Sequence, residues 1–371
     1  MAKQKRKTLP KDFKELLTAG DIETLKAVFD NCDIDARGGY SKQTALAFNE
    51  CPDEFTRWLV ERGADLSASD DYGETPLHSR AGHWQGRVEV LIELGADMNH
   101  DAGGRGSPLH RAAAVGNLRT AGALLNSGAD AYATNNGGQT PLVFALQRCR
   151  NSDIERMAPM AELLLAAMSK APDKAQSFIG RLFGGSARTS PVTPEMKRLV
   201  QNIGTDFEFH RAGYNPDSVG AASAALDRLY SLFDVPPVPR RAMHDGNASI
   251  AATPGRWEDQ HQELWELLVP SSGAARTVQG EMIRISGRIH DEIERNGGVN
   301  WDSDYRKMAG AFLELLMSGH QLPDPELGRA REIVANVKRG QGDTAELCRL
   351  AVSWVALNPK PIALPDPDYE R

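Results

Sequence analysis

Two short motifs recur down the first half of the chain at a nearly constant interval. Thr44-Ala45-Leu46, Thr75-Pro76-Leu77-His78, Ser107-Pro108-Leu109-His110 and Thr140-Pro141-Leu142 stand 31, 32 and 33 residues apart. Gly63-Ala64-Asp65, Gly95-Ala96-Asp97 and Gly128-Ala129-Asp130 keep the same phase, 32 and 33 apart. Self-similarity at such a period marks supersecondary units that cannot bury an apolar face alone and must stack on their neighbours.

The chemistry of the letters says what the unit is. Thr75 can cap a helix that Pro76 starts, because proline in the first turn forfeits no hydrogen bond and presets the backbone. His78 and His110 follow one turn in, where an imidazole can bridge loop backbone groups. Gly63, Gly95 and Gly128 come after apolar pairs such as Leu124-Leu125 and can end a second helix in the left-handed conformation. Each unit therefore reads as helix, turn, helix and an extended loop.

The two motifs together resemble the ankyrin family's "G-x-T-P-L-H-x-A-A" and "L-L-x-x-G-A-D" pattern over about residues 10 to 170. Phe13 to Ala36 reads as an atypical first repeat. The resemblance implies an α-helical solenoid that binds a protein partner through projecting loop tips and the concave face of the first helices. Carried over by position, the tips are Tyr40, Tyr72, Glu74, Arg105, Asn135 and Asn136, and the concave helices present Arg80, His83, Trp84, Arg111, Phe144 and Arg148. Arg80 stands where the pattern has a small residue. That repeat is one residue short, with Trp84 at the expected glycine, so Trp84 either fills the shortened turn or projects as an anchor. The repeat from Thr44 lacks Pro and His, which predicts a distorted first helix near Cys51-Pro52, and an insertion falls near Arg150 to Arg156.

Beyond residue 170 the pattern weakens. Thr193-Pro194 and Leu199-Val200-x-x-Ile203-Gly204-Thr205-Asp206 echo both anchors, and a helix from about Asp217 to Phe233 is expected to cap the stack, so residues 171–234 read as a degenerate repeat and cap. Pro236-Pro237-Val238-Pro239 and the small-residue run to Pro254 read as a linker, residues 235–254. Residues 255–371 read as a separate helical bundle of four or five helices. The first runs from Trp257 toward Pro270, and the second covers about Ala275 to Arg295 on a stripe of Val278, Met282, Ile285, Ile289 and Ile293. Asp302 or Ser303, Asp324 and Asp343 open the remaining three. Gly280 and Gly287 would let another helix approach closely, whereas Glu281, Arg284, Arg288, His290, Asp291, Glu292 and Glu294 read as a solvated charged face. Residues 264–302 are similar to helical regions of uncharacterised bacterial proteins. The fold class is all-α.

Composition narrows the functional classes. A net charge of -7 offers no drive toward phosphate backbones, so no nucleic acid is expected as partner. The basic start, Lys3, Lys5, Arg6 and Lys7 within residues 1–9, reads as a solvated tail with no apolar segment behind it. No stretch is long and apolar enough to span a membrane, so no membrane partner is expected either. Cys32, Cys51, Cys149 and Cys348 are too scattered for a zinc site or disulfide framework, which suits a reducing, cytoplasmic setting. Glu258-x-x-His261 is a lone pair and reads as surface chemistry. Gly103-Gly104-x-Gly106 falls at a repeat loop, away from any strand-to-helix turn. No cofactor, metal or catalytic set is expected. The function so read is non-catalytic protein binding, in the setting of a bacterial immunity protein that occludes a toxin or other enzyme. An enzyme site within the C-terminal bundle is the alternative.

Overall fold

The computed structural model describes residues 4–170 and 190–369. The chain parts into two compact units. One holds the residues up to Phe207 with Asn215–Val238, and the other holds Glu208–Tyr214 with Pro239 onward. The degenerate repeat expected from residue 171 therefore lies partly outside the described residues.

The first unit is a row of helical hairpins. α1 (Phe13–Ala19) and α2 (Ile22–Asn31) form the atypical first repeat, with Gly20 in the left-handed conformation between them and Asp21 capping α2 through Thr24. Next come a single 3-10 turn (Ala45–Ala47) and α3 (Asp53–Glu61), then α4 (Pro76–Ala81) with α5 (Glu89–Glu93), α6 (Pro108–Val115) with α7 (Leu118–Asn126), and α8 (Pro141–Arg148) with α9 (Ile154–Lys170). The distortion expected near Cys51-Pro52 is that 3-10 turn: Thr44 caps without a side-chain bond, and Phe48 is already extended. First helices pack on first helices and second on second along the row. Ala45, Leu46, Leu77, Leu109 and Leu142 form one buried line, and Phe55, Leu59, Leu91 and Leu124 form the other.

The histidines join one repeat to the next. Nδ1 of His110 accepts from the amide of Ser107 at 3.0 Å, and its Nε2 donates to the carbonyl of Gln139 at 2.9 Å, 29 positions on. His78 repeats this with Thr75 and the carbonyl of Gly106. Burial lowers the pKa of both rings, that of His78 to about 4, so each stays neutral and can accept on one side while donating on the other.

Three features of this unit depart from the sequence reading. From Lys5 onward the basic start is no free tail, although its side chains stay exposed, because β1 (Arg6–Thr8) pairs in parallel with β2 (Cys32–Gly38), Leu9 is buried, and Lys5 reaches the carbonyl of Phe29 at 2.6 Å; Lys3 lies outside the described residues. β2 turns through residues 39–42 into β3 (Gln43–Thr44), giving an otherwise helical fold one small sheet. α10 (Pro194–His210) runs straight through Gly204 instead of ending there. A Cβ at Gly204 would sit 1.9 Å from the Tyr230 hydroxyl, so this glycine serves close packing and not a turn. α11 (Pro216–Phe233) lies against α9 with Leu226, Leu229, Tyr230 and Phe233 buried, as its spacing predicts.

The second unit is built around one helix. α12 (Trp257–Leu268), α14 (Ser303–Leu316) and α16 (Thr344–Leu357) surround α13 (Val278–His290), and α15 (Asp324–Val337) packs on α14 and α16. Asp302 and Asp343 cap α14 and α16 as expected, while Glu346 turns away from the Asp343 amide to hold Arg349 and Arg329. A Cβ at Gly287 would meet the Trp265 ring at 2.5 Å, and one at Gly280 would meet the carbonyl of Leu268 at 3.1 Å, so α12 makes the close helix approach predicted for both. After His290 the helix widens into a π-helical turn, Asp291–Arg295.

Residues 239–254 are part of this unit and not a free linker. Ile250 is fully buried, its amide donates to the Pro359 carbonyl at 2.8 Å, and the His244 amide donates to the Leu267 carbonyl at 2.9 Å. Composition could not show this, since one buried isoleucine and a few backbone bonds anchor the run. The solvated face expected from Glu281 to Glu294 is overturned for Glu281 and Arg284, which are fully buried, and for Glu292, nearly so, while Asp291 and Glu294 in the turn after α13 are exposed as expected. Arg284 Nε donates to Glu281 Oε2 at 2.9 Å, Tyr369 donates its phenol proton to Oε1 at 2.7 Å, and the amide of Ala275 supplies a further bond. A helix packed on all sides has no solvated face, so its charges are paired.

Candidate functional site

Four projecting loops stand side by side on the repeat row, and each is shaped by its own residues. Asp70 Oδ1 accepts from the amides of Tyr72 and Glu74 at 2.8 and 2.9 Å, Asp101 holds those of Gly104 and Gly106 at 2.9 Å, and Asn135 Oδ1 holds those of Gly137 and Gln139. A short carboxylate or amide folding back on amides two to five residues ahead makes a stiff finger. The shaping roles of Asp70 and Asp101 were not anticipated. An Asp or Asn ahead of each left-handed glycine, Gly73, Gly103 and Gly138, was the available sign.

The finger tips carry Tyr40, Tyr72, Arg105 and Asn136. Tyr40 is 93% exposed on the β2–β3 hairpin, where Gly39 and Lys42 take positive φ. The neighbouring Tyr40 holds the Tyr72 phenol pKa above the ordinary value. The guanidinium of Arg105 lies 5.3 Å over the Tyr72 ring. Lys42 and Asp71 pair at 2.7 Å between the first two fingers, and the amide of Asn136 donates to the Gly104 carbonyl at 2.8 Å between the last two. A Cβ at Gly104 would fall 1.7 Å from the Asn136 side chain, so the third finger needs glycine to admit the fourth. Two aromatic rings and a guanidinium from successive repeats thus make one continuous ladder.

The other sequence-derived contacts divide. Arg80 is only 1% exposed and cannot meet a partner. Its Nε donates to the Leu46 carbonyl at 2.8 Å and its Nη2 to the Thr56 hydroxyl at 2.9 Å, replacing groups that the shortened preceding helix would otherwise supply. Phe144 is likewise buried, edge-on to His110, although the exposed Arg148 covers it at 4.0 Å. Glu74 is largely buried behind the fingers. Burial raises its pKa, and Arg111 pairs with it at 3.0 Å. Asn135 is spent on its own finger.

Trp84 projects at 62% exposure with His83 stacked beside it. The turn is filled instead by Gly86, where a Cβ would collide with the Arg80 carbonyl at 1.7 Å. The Trp84 side chain borders a groove of about 310 Å³ shared with Val115 and Met157, in the turns between helices and not at the fingers. Sequence position assigned Trp84 and Tyr72 to one binding surface, and the fold places them on different parts of the repeat.

In the second unit His261 lies 3.0 Å from the Ser286 hydroxyl. Ser286 is fully buried and donates to the Ile283 carbonyl, and burial lowers the His261 pKa to about 4. The thiol of Cys348 is pushed up to about 12 by burial. These groups are packed and satisfied, and none is presented to a substrate. His261 is therefore half-buried against Ser286, while its sequence neighbour Glu258 stays on the surface as expected. Among the described residues no cluster of three His, Cys, Asp or Glu could hold a metal ion, and no helix is long and apolar enough to cross a membrane.

Comparison with known proteins agrees with this geometry. Residues 109–165 match the family of ankyrin repeats in many copies. The chain is 36% identical over 120 residues to the mouse B-cell lymphoma 3 protein homolog, covering 31% of this chain and 27% of that protein. It is 33% identical over 215 residues to mouse ankyrin repeat and SOCS box protein 16, covering 53% of this chain and 43% of the relative. The chain spans less than half the length of either. The helical hairpins of the first unit are thus similar to ankyrin repeats, with residues 109–165 matching the family directly.

Proposed function

We propose that this chain binds a protein partner with the finger ladder of Tyr40, Tyr72 and Arg105, flanked by Asn136 and Arg111. The supporting observation is that the fingers carrying two exposed aromatic rings and a guanidinium are joined before any partner arrives, by the Lys42–Asp71 ion pair and by Arg105 over the Tyr72 ring. Tyr and Arg are over-represented among residues that dominate binding energy, and pre-ordering lowers the entropy lost on association. Glu74 holds Arg111 in place from behind, so its role is positional.

The net charge of -7 suits a basic partner, because opposite fields speed encounter. An inhibitor or immunity protein that covers the active site of a toxin or other enzyme fits that preference, and four free thiols fit a reducing, cytoplasmic setting. The reading is non-catalytic.

A photo-crosslinking amino acid placed at Tyr40 or Tyr72 of the full chain tests the surface. The expected result is one discrete crosslinked protein from both finger positions and none from Leu118, which is exposed on the second helix of its repeat. Equal crosslinking from Leu118, or none from the fingers, would overturn the assignment.

A further inference from the structure

The second unit encloses a cavity of about 400 Å³ that protein binding by the repeats does not use. Its wall is formed by residues 208–213, residues 241–246 and the loop entering α13, all of the same unit. That volume is in the range of small-molecule sites, which are mostly apolar with a few placed polar groups. Phe209, Met243, Leu268 and Pro270 supply the apolar part.

The charge on the wall is one-sided. Its single carboxylate, Glu208, is already held by Arg211 through two bonds of 2.8 Å, so that pair is neutral. Arg241 lies 4.2 Å over the Phe209 ring and donates to the carbonyls of Trp265, Glu266 and Val269 at 2.8, 2.6 and 2.6 Å. Those acceptors fix its position without cancelling its charge, because each carbonyl is a dipole and no carboxylate among the described residues lies within ion-pair distance. Arg276 is exposed on the loop into α13 and has no ion-pair partner among the described residues. The hydroxyls of Ser271 and Ser272 complete the rim, on a turn that needs the positive φ of Gly273.

Two guanidinium charges without counter-carboxylates, hydroxyl donors and an apolar floor in one cavity define the complement of an amphipathic anion. We propose that this cavity binds a small organic oxyanion, a phosphate or carboxylate head on an apolar or aromatic body. Arg276 and the serine hydroxyls take the head, the Arg241 charge adds long-range attraction, and Phe209 and Met243 take the body. The ligand is bound and not transformed, since His244, the imidazole on the wall, is spent on the Ala248 carbonyl and the Gly246 amide.

Isothermal titration of the full-length chain with phenyl phosphate, benzoate, inorganic phosphate and benzyl alcohol tests this. Saturable binding of phenyl phosphate or benzoate is expected, the tighter of the two showing which head is preferred. Inorganic phosphate and benzyl alcohol should each bind at least about tenfold more weakly, because each keeps only half of the complement. Arg276→Glu should weaken the preferred probe by at least about tenfold while leaving the circular dichroism melt unchanged, since the residue is exposed. Met243→Trp, which fills the floor with a ring, should have the same effect. The proposal is overturned if neither aromatic anion saturates, if both variants bind as the parent does, or if inorganic phosphate alone binds as tightly.

Discussion

Arg80 donates its Nε–H to the carbonyl of Leu46, 34 positions earlier, at 2.8 Å, and this bond joins the repeat row where one first helix is only a 3-10 turn. The preceding repeat has only a 3-10 turn for a first helix, and the buried guanidinium bonds the carbonyl that a longer helix would have used. Arg80→Ala should therefore destabilise the first unit by about 2–4 kcal/mol, the cost of an orphaned carbonyl plus a cavity. Arg80→Lys should rescue little, because a single ammonium cannot reproduce the fork to Leu46 and Thr56. Urea unfolding read by tryptophan fluorescence and circular dichroism checks both.

The bridging histidines make stability depend on pH. Burial lowers the folded pKa of His78 to about 4 from the ordinary histidine value of 6.5, so between these values the unfolded chain binds more protons than the folded one. The stabilisation is complete above about pH 6.5 and is lost as pH falls toward 4. His78→Gln should lower the melting temperature at pH 7.5 and reduce its decline between pH 6.5 and 4.5. A variant whose melting temperature falls as steeply as the parent's would contradict the assignment.

The buried pair on α13 should behave asymmetrically. Arg284→Met strands the Glu281 carboxylate in the core, and by the general cost of breaking a buried pair it should lose about 3–5 kcal/mol. The double variant Glu281→Gln/Arg284→Met should regain part of that loss. Tyr369→Phe, which removes one of four donors to the carboxylate, should cost about 1 kcal/mol. Chemical denaturation of the full chain, with the two units followed by separate probes, distinguishes these outcomes.

Thiol chemistry offers a further test. Burial raises the thiols of Cys51, Cys149 and Cys348, the last two to about 12, and Cys32 is fully buried. Native protein at pH 8 should react slowly with a disulfide reagent at every cysteine, and all four should react at once in denaturant. Rapid modification of one native thiol would show that its surroundings open.

Local chemistry was the legible part of this chain. Thr75-Pro76, Asp302 and Asp343 announce helix starts because a cap needs only residues within one turn of itself. The apolar stripes of α12 and α13 are visible for the same reason. What escaped depends on distance in sequence. Arg80 looked like a surface residue because its partners are Leu46 and Thr56. Glu281 and Arg284 looked solvated because the side of α13 they occupy is covered by Tyr369 and neighbouring helices. Residues 239–254 looked like a tether because Ile250 finds its place against Pro359, more than a hundred positions away. The finger tips were locatable from the repeat phase alone, while their joining into a ladder required the spacing between repeats in three dimensions.

The most direct measurement is the affinity of the crosslinked partner, once isolated, for the parent chain and for the triple variant Tyr40→Ala/Tyr72→Ala/Arg105→Ala. These side chains lie outside the repeat core, so the melting temperature of the variant should match the parent's. Its affinity should fall at least about a hundredfold, as expected when the anchoring residues of an interface are removed together. An unchanged affinity in a folded triple variant would contradict recognition by the fingers.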